Sequence, residues 1–92
     1  MNAYRIETGA KAQLQLDNLD AAIGASVERK ILWLGQNAAA ILHRRLVGMP
    51  DELSGLCKLR IGDYRILYWI YHDKKLVRIY RVQNRSEVYR DL

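Results

Sequence analysis

The sequence holds only one cysteine and two histidines in 92 residues. Cys57 has no second cysteine for an internal disulfide, and His43 and His72 cannot build a structural zinc cluster with it, so neither a metal nor a cofactor is expected. That usage fits a reducing cytoplasm. No stretch reaches the roughly 18 to 20 apolar residues of a membrane span, and the opening MNAYRIETGA lacks the apolar run of a signal sequence. Repeats, low-complexity tracts and linkers are absent. The expectation is one domain over 1–92, soluble, unexported and independent of membranes, with a core of modest size.

Acidic residues are in the minority as well. Fifteen Lys and Arg stand against ten Asp and Glu, giving a net charge of +5 and a pI near 9.6. Such an excess favours an acidic partner: nucleic acid, an anionic surface or an acidic protein. Half of the chain is hydrophobic, which excludes disorder.

In order, residues 3–7 read as a short strand with Tyr4 and Ile6 turned inward. Thr8 is a helix cap, and Ala12, Leu16 and Leu19 follow at helical spacing. After Asp17, Asn18 and Asp20, a second helix carries Ile23, Val27, Ile31 and Leu34 on one face and stops at Gly35. Trp33 on this helix reads as packing. A short helix near 38–46 and then an irregular connection fit AAAILHRRL followed by Gly48, Pro50 and Gly55. His43 and His72 read as surface residues, and Cys57 as a small buried hydrophobe.

From Leu56 to Tyr89 three apolar segments are joined by two polar turns, the pattern of an antiparallel meander. The fold class expected is α+β, with the helical hairpin packed on one face of a single sheet. Gly62-Asp63 suits a two-residue hairpin with glycine first, which sets Arg60 opposite Arg65, Leu59 opposite Ile66 and Lys58 opposite Leu67. For the second turn a three-residue loop at 73–75 pairs Ile66 with Val82, Tyr68 with Tyr80 and Arg65 with Gln83. A two-residue loop would set Ile66 against Arg81, so the first register is preferred.

One face then collects Lys58, Arg60, Arg65, Arg81 and Arg85, with Gln83, Trp69 and Tyr71 among them. Cations alternating along strands are ordinarily the wet face of a half-buried sheet. Directly opposed Arg60 and Arg65, however, repel each other unless an anion lies between them, and arginine forks suit phosphate.

The segments GMPDEL, KLRIGDYRILYWI and RSEVY resemble the RelE/ParE superfamily of bacterial toxins, and most of all its RelE branch of ribosome-dependent mRNA endonucleases. The resemblance covers essentially the whole chain. It implies the toxin of a type II toxin-antitoxin system, which cuts mRNA in the ribosomal A site by attack of the 2′-hydroxyl on the adjacent phosphate, without metal. By position it makes Lys58 a base or charge stabiliser, Arg65 a phosphate ligand, Arg85 a second cation and Tyr89 the residue that orients substrate. Arg60, Arg81 and Gln83 fall in the RNA-binding face. Two positions depart from the pattern: Leu56 stands where a lysine is expected and Gln83 where an arginine is, so Arg81 or Arg85 would have to supply the missing charge. The implied partner is a cognate antitoxin in a hetero-oligomer. A ParE-like gyrase inhibitor and a non-catalytic antitoxin-binding member are the alternatives.

Overall fold

The computed structural model describes residues 3–84. Its elements run β1 (Arg5–Thr8), α1 (Ala10–Asp17), α2 (Ala21–Asn37), β2 (Arg44–Arg45), β3 (Cys57–Ile61), β4 (Tyr64–Tyr71) and β5 (Leu76–Asn84), with one 3₁₀ turn at Asp51–Leu53. The five strands form one sheet in the order β1-β5-β4-β3-β2. The strand, helical hairpin and meander are as the sequence suggests, and the sheet is mixed because β1 pairs parallel to β5.

The core lies between the helices and one sheet face. Ala12 and Leu16 of α1 and Val27, Ile31 and Leu34 of α2 meet Ile66, Tyr68, Val77, Ile79 and Val82 there. Each Val, Leu or Ile among them contributes roughly 1.5–3 kcal/mol on burial. Close approach is required where α2 passes β1: a Cβ on Gly35 would meet Ile6 Cδ1 at 2.9 Å and the Tyr4 carbonyl oxygen at 3.0 Å. Gly35 does not stop the helix, which runs on to Asn37, and the N-cap of α1 is Gly9 in place of Thr8. Trp33 is partly exposed, with the Lys30 ammonium 4.0 Å above its ring.

The first hairpin has the expected register, Arg60 opposite Arg65 and Leu59 opposite Ile66, around Gly62 at φ 57°. The second departs from expectation. Arg65–Gln83, Ile66–Val82 and Leu67–Arg81 pair as foreseen, but Tyr68 then faces Ile79, not Tyr80, across a β-bulge, and Tyr71 faces Leu76, which leaves a four-residue turn at 72–75. The reason is steric and electrostatic. Arg78 and Arg81 are three residues apart, so uninterrupted alternation would send one of them under the helices. The extra residue, Tyr80, lets both point outward, Val77 and Ile79 take the core face, and Arg78 reaches Glu7 at 3.1 Å.

No helix forms near 38–46. That stretch is a turn leading into β2, whose two arginines pair with Cys57 and Lys58. His43 is also not a simple surface residue. Its Nε2 lies 2.8 Å from the Ala38 carbonyl and its Nδ1 2.6 Å from the Tyr68 hydroxyl. His72, in the turn, lies 2.8 Å from the Tyr4 hydroxyl through Nδ1, and the two imidazoles meet edge-on at 5.7 Å.

Cys57 is buried, as expected, and Tyr68 is buried beside it. Burial raises both acids above their ordinary ranges, while the charge of Arg45 partly offsets the effect on the thiol and the neighbouring thiol adds to that on Tyr68. Both folded-state values are raised, so the stability these groups contribute is full below their ordinary pKa values and is lost as pH rises through the folded ones. Denaturant midpoints should therefore fall as pH is taken above about 8.5, the ordinary thiol value, and Cys57→Ala should fall less steeply. Gly35→Ala should cost about 1–3 kcal/mol by overpacking, measured by urea denaturation.

Candidate functional site

The β3–β4 hairpin and β2 together frame a cleft of about 400 Å³. Its wall is formed by Leu42, Arg44, Lys58, Arg60, Arg65 and Tyr68, together with Leu59. Local structure accounts for the gathering of charge. Cross-strand partners share a face, so Arg60 and Arg65 come together from β3 and β4, and Arg44 joins Lys58 from β2.

The guanidinium groups find few partners among the described residues. Arg60 Nε donates a long bond of 3.4 Å to the Gly62 carbonyl and Arg65 Nη1 donates to its neighbour's carbonyl, Tyr64 O, at 3.2 Å. The ion pairs among the described residues are those of Glu7 with Arg5 and Arg78, so no carboxylate there neutralises Arg44, Arg60 or Arg65. A cleft where Arg44, Arg60 and Arg65 meet no carboxylate among the described residues is suited to a phosphate or a carboxylate from outside. Among the described residues no group of three or more His, Cys, Asp or Glu could hold a metal ion.

The remaining candidates are placed differently. Gln83 sits opposite Arg65 and is 2% exposed. Arg81 lies half-buried away from the cleft wall, its guanidinium carbon 3.9 Å from the Tyr80 ring centroid and its Nη1 donating to the Tyr80 carbonyl at 2.9 Å. Its Nε is buried with no hydrogen-bond partner among the described residues. Arg85 and Tyr89 lie outside the described residues.

Leu56 has a structural account. It is fully buried with Leu67 on the face of the sheet away from the helices, under Leu46, Trp69 and Tyr80. Trp69 Nε1 donates to the Ser54 carbonyl at 3.1 Å, and its ring meets Tyr80 at 5.1 Å. That face therefore has two zones, a cationic cleft toward the hairpin turn and a small apolar cluster beside it. Sequence reasoning missed Leu42, Arg44 and Tyr68 as wall residues. The available signal was the pair Arg44-Arg45 ahead of Gly48, which reads equally well as a helix end.

Comparison with known proteins agrees with this architecture. The isolated Escherichia coli RelE toxin is 25% identical, covers 97% of this chain and 94% of its own, and superposes with a TM-score of 0.70. The toxin-antitoxin complex RelBE2 of Mycobacterium tuberculosis gives 28% identity, 91% and 93% coverage and a TM-score of 0.75. At 20% identity, an archaeal RelE-RelB complex from Pyrococcus horikoshii shares the fold, with a TM-score of 0.71 over 94% of this chain and 99% of that one. Comparison with curated protein sequences gives no match. The family model described as the ParE toxin of the type II toxin-antitoxin system matches residues 6–89, nearly the whole chain. A sheet with this strand order, covered by two helices and matched along its length by that model, places the chain in the RelE/ParE superfamily: it belongs to the ParE toxin family of type II toxin-antitoxin systems.

Proposed function

We propose that this toxin is an mRNA endonuclease acting in the ribosomal A site of the cytoplasm, held inactive by a cognate antitoxin. The observation that carries the reading is the cleft in which Arg60 and Arg65 stand directly opposed beside Lys58 and Arg44, with no carboxylate among the described residues to neutralise the three arginines. Cleavage by a ribose 2′-hydroxyl requires a base near that oxygen, positive charge around a phosphate whose negative charge grows, and an acid for the departing 5′-oxygen. Arg65 and Arg60 supply donors for the non-bridging oxygens, and Arg44 extends the charge along the strand toward β2. Lys58 is the base or charge stabiliser at the centre of the group. Arg85 and Tyr89 complete the site in this reading, Tyr89 by orienting the substrate.

An acidic antitoxin segment satisfies the same cations, so inhibition by covering the cleft follows from the same charge pattern. Support comes from the solved RelBE2 assembly of Mycobacterium tuberculosis, a toxin-antitoxin complex whose fold this chain shares. Gln83, nearly buried, is an unsuitable replacement for a phosphate-binding arginine, and Arg81 is turned onto Tyr80. Of Arg81 and Arg85, the two cations that could make up the difference, Arg85 is therefore preferred, and Arg44 adds charge to the cleft from β2.

A second reading is favoured by the family model, which is described by its ParE members: a gyrase inhibitor that binds without cutting RNA. Induction of the toxin with separate readouts of mRNA ends and of the DNA-damage response decides between them. Codon-positioned mRNA cuts are expected, with Lys58→Ala and Arg65→Ala each lowering cleavage by about 10²-fold or more. A DNA-damage response without new mRNA ends would reject the nuclease. Relief of the opposed pair by Arg60→Gln should stabilise the fold by about 0.2–1 kcal/mol at low salt while weakening cleavage, as melts at two ionic strengths and the same cleavage assay would register.

A further inference from the structure

His43 lies immediately behind the cationic cleft. The residues on either side of it, Leu42 and Arg44, line the cleft, and so does Tyr68, to which it is bonded. Its protonation state can be read from its partners. A carbonyl can only accept, so the 2.8 Å contact with Ala38 O requires hydrogen on Nε2. In the neutral ring Nδ1 then carries a lone pair, and the Tyr68 hydroxyl donates to it at 2.6 Å. The one proton of Tyr68 is thereby turned away from the cleft.

Protonation reverses that bond. With hydrogen on both nitrogens, Nδ1 becomes a donor, the Tyr68 oxygen must accept, and the hydroxyl proton needs another acceptor. Tyr68 is nearly buried but lines the cleft, so a new acceptor can reach its hydroxyl only from that side, and an anion oxygen bound in the cleft is one. Among the described residues the surrounding groups offer the added charge no counter-ion. Arg44 and Arg45 flank it from β2, Cys57 faces Tyr68 from β3, and His72 approaches edge-on from the β4–β5 turn with Tyr4 bonded behind it. Asp73, next to His72 in sequence, does not pair: neither imidazole comes within 4.0 Å of a carboxylate among the described residues.

We propose that His43 is a positioning residue of the cationic cleft, which links binding of a phosphodiester there to uptake of one proton by releasing the Tyr68 hydroxyl as a donor. The neutral ring withholds that donor and the protonated ring presents it, with a further positive charge behind it. Anion and proton therefore favour each other, reciprocally. Strongly raised by burial, the phenol itself remains protonated throughout the imidazole range. The proposal takes from the proposed function only that the cleft receives a phosphodiester.

Oligothymidylate is a suitable probe, because it is single-stranded, has no 2′-hydroxyl to react, and does not titrate between pH 5.5 and 8. Calorimetric titration of the full chain at fixed low ionic strength, in two buffers of different ionisation enthalpy, reads affinity and proton uptake together. Affinity should rise about tenfold from pH 8 to pH 5.5, with uptake approaching one proton per cleft. His43→Gln, whose amide can still donate to Ala38 O, should flatten the profile to within about twofold, a size small against that coupling. Tyr68→Phe should flatten it too, with melts confirming that both variants fold. Absence of binding, absence of proton uptake, or a slope unchanged in His43→Gln overturns the proposal. A slope kept in Tyr68→Phe does so as well, since it would reduce His43 to a bystander charge. A toxin that leaves mRNA intact yet shows the His43-dependent slope overturns the nuclease reading alone, and one that cuts mRNA with no such slope overturns this inference alone.

Discussion

Two arginines three residues apart in β5 impose the constraint on which the sheet depends. A strand alternates its faces with a period of two, so Arg78 and Arg81 cannot both avoid the core in a regular ladder. Placing either beneath the helices would bury an unpaired charge, which costs far more than a local break in pairing. The bulge at Tyr80 is the lower-energy solution. It keeps Ile66, Tyr68 and Ile70 opposite Val82, Ile79 and Val77 on the buried face, and it directs Arg78 to Glu7 on β1. The parallel attachment of β1 thus gains an ion pair from the same irregularity. Beyond the end of β1, the backbone N–H of Val82 on the exposed edge of β5 is satisfied by Gln15 Oε1 of α1 at 2.9 Å.

The bulge also divides the opposite face. By placing Tyr80 there, it sets an aromatic ring against Trp69 and above Leu56 and Leu67, and it provides the surface on which Arg81 lies. Arg81 is consequently held in an apolar neighbourhood, and the described cations that line the cleft are those of the first hairpin and β2. A lysine at position 56 would have its head group in the middle of that cluster, where burial without a partner is costly. Leucine at 56 and tyrosine at 80 are therefore parts of one packing solution. The charge that the superfamily pattern leads one to expect at 56 is absent, and Arg44, across from Lys58, carries charge into the cleft from the other side.

Much of this was legible in the sequence wherever a physical rule had one outcome. Gly62-Asp63 dictated the first hairpin, and that register alone put Lys58, Arg60 and Arg65 on one face. The helix stripes at Ala12 and Leu16 and at Val27, Ile31 and Leu34 named the core. The second hairpin was legible only by halves. Two registers were in competition, and each is realised on one side of the bulge, the three-residue-loop register beyond Leu67 and the alternative one nearer the turn. Choosing one for the whole strand overlooked Arg78, whose distance from Arg81 already required a break. Residues 38–46 were not legible because helix propensity in AAAIL is a local quantity, whereas β2 exists through pairing with Cys57 and Lys58 some dozen residues later.

His72 is exposed in its turn, as expected, and His43 was misjudged for a related reason. A lone imidazole in a polar stretch carries no periodic signal, and its environment is set by elements distant in sequence: Ala38 and Tyr68 for His43, Tyr4 for His72. Those contacts tie together the lead-in to β1, the turn after β4 and the lead-in to β2. The segment before β2 is irregular, and Leu42 on it is 95% exposed. Arg44 is carried by this segment, so its position over the cleft depends on the bond that fixes His43 to the sheet. Edge geometry and cleft charge are therefore coupled through one buried phenol, and Tyr68 is where the hydrophobic core and the cationic surface of this small toxin meet.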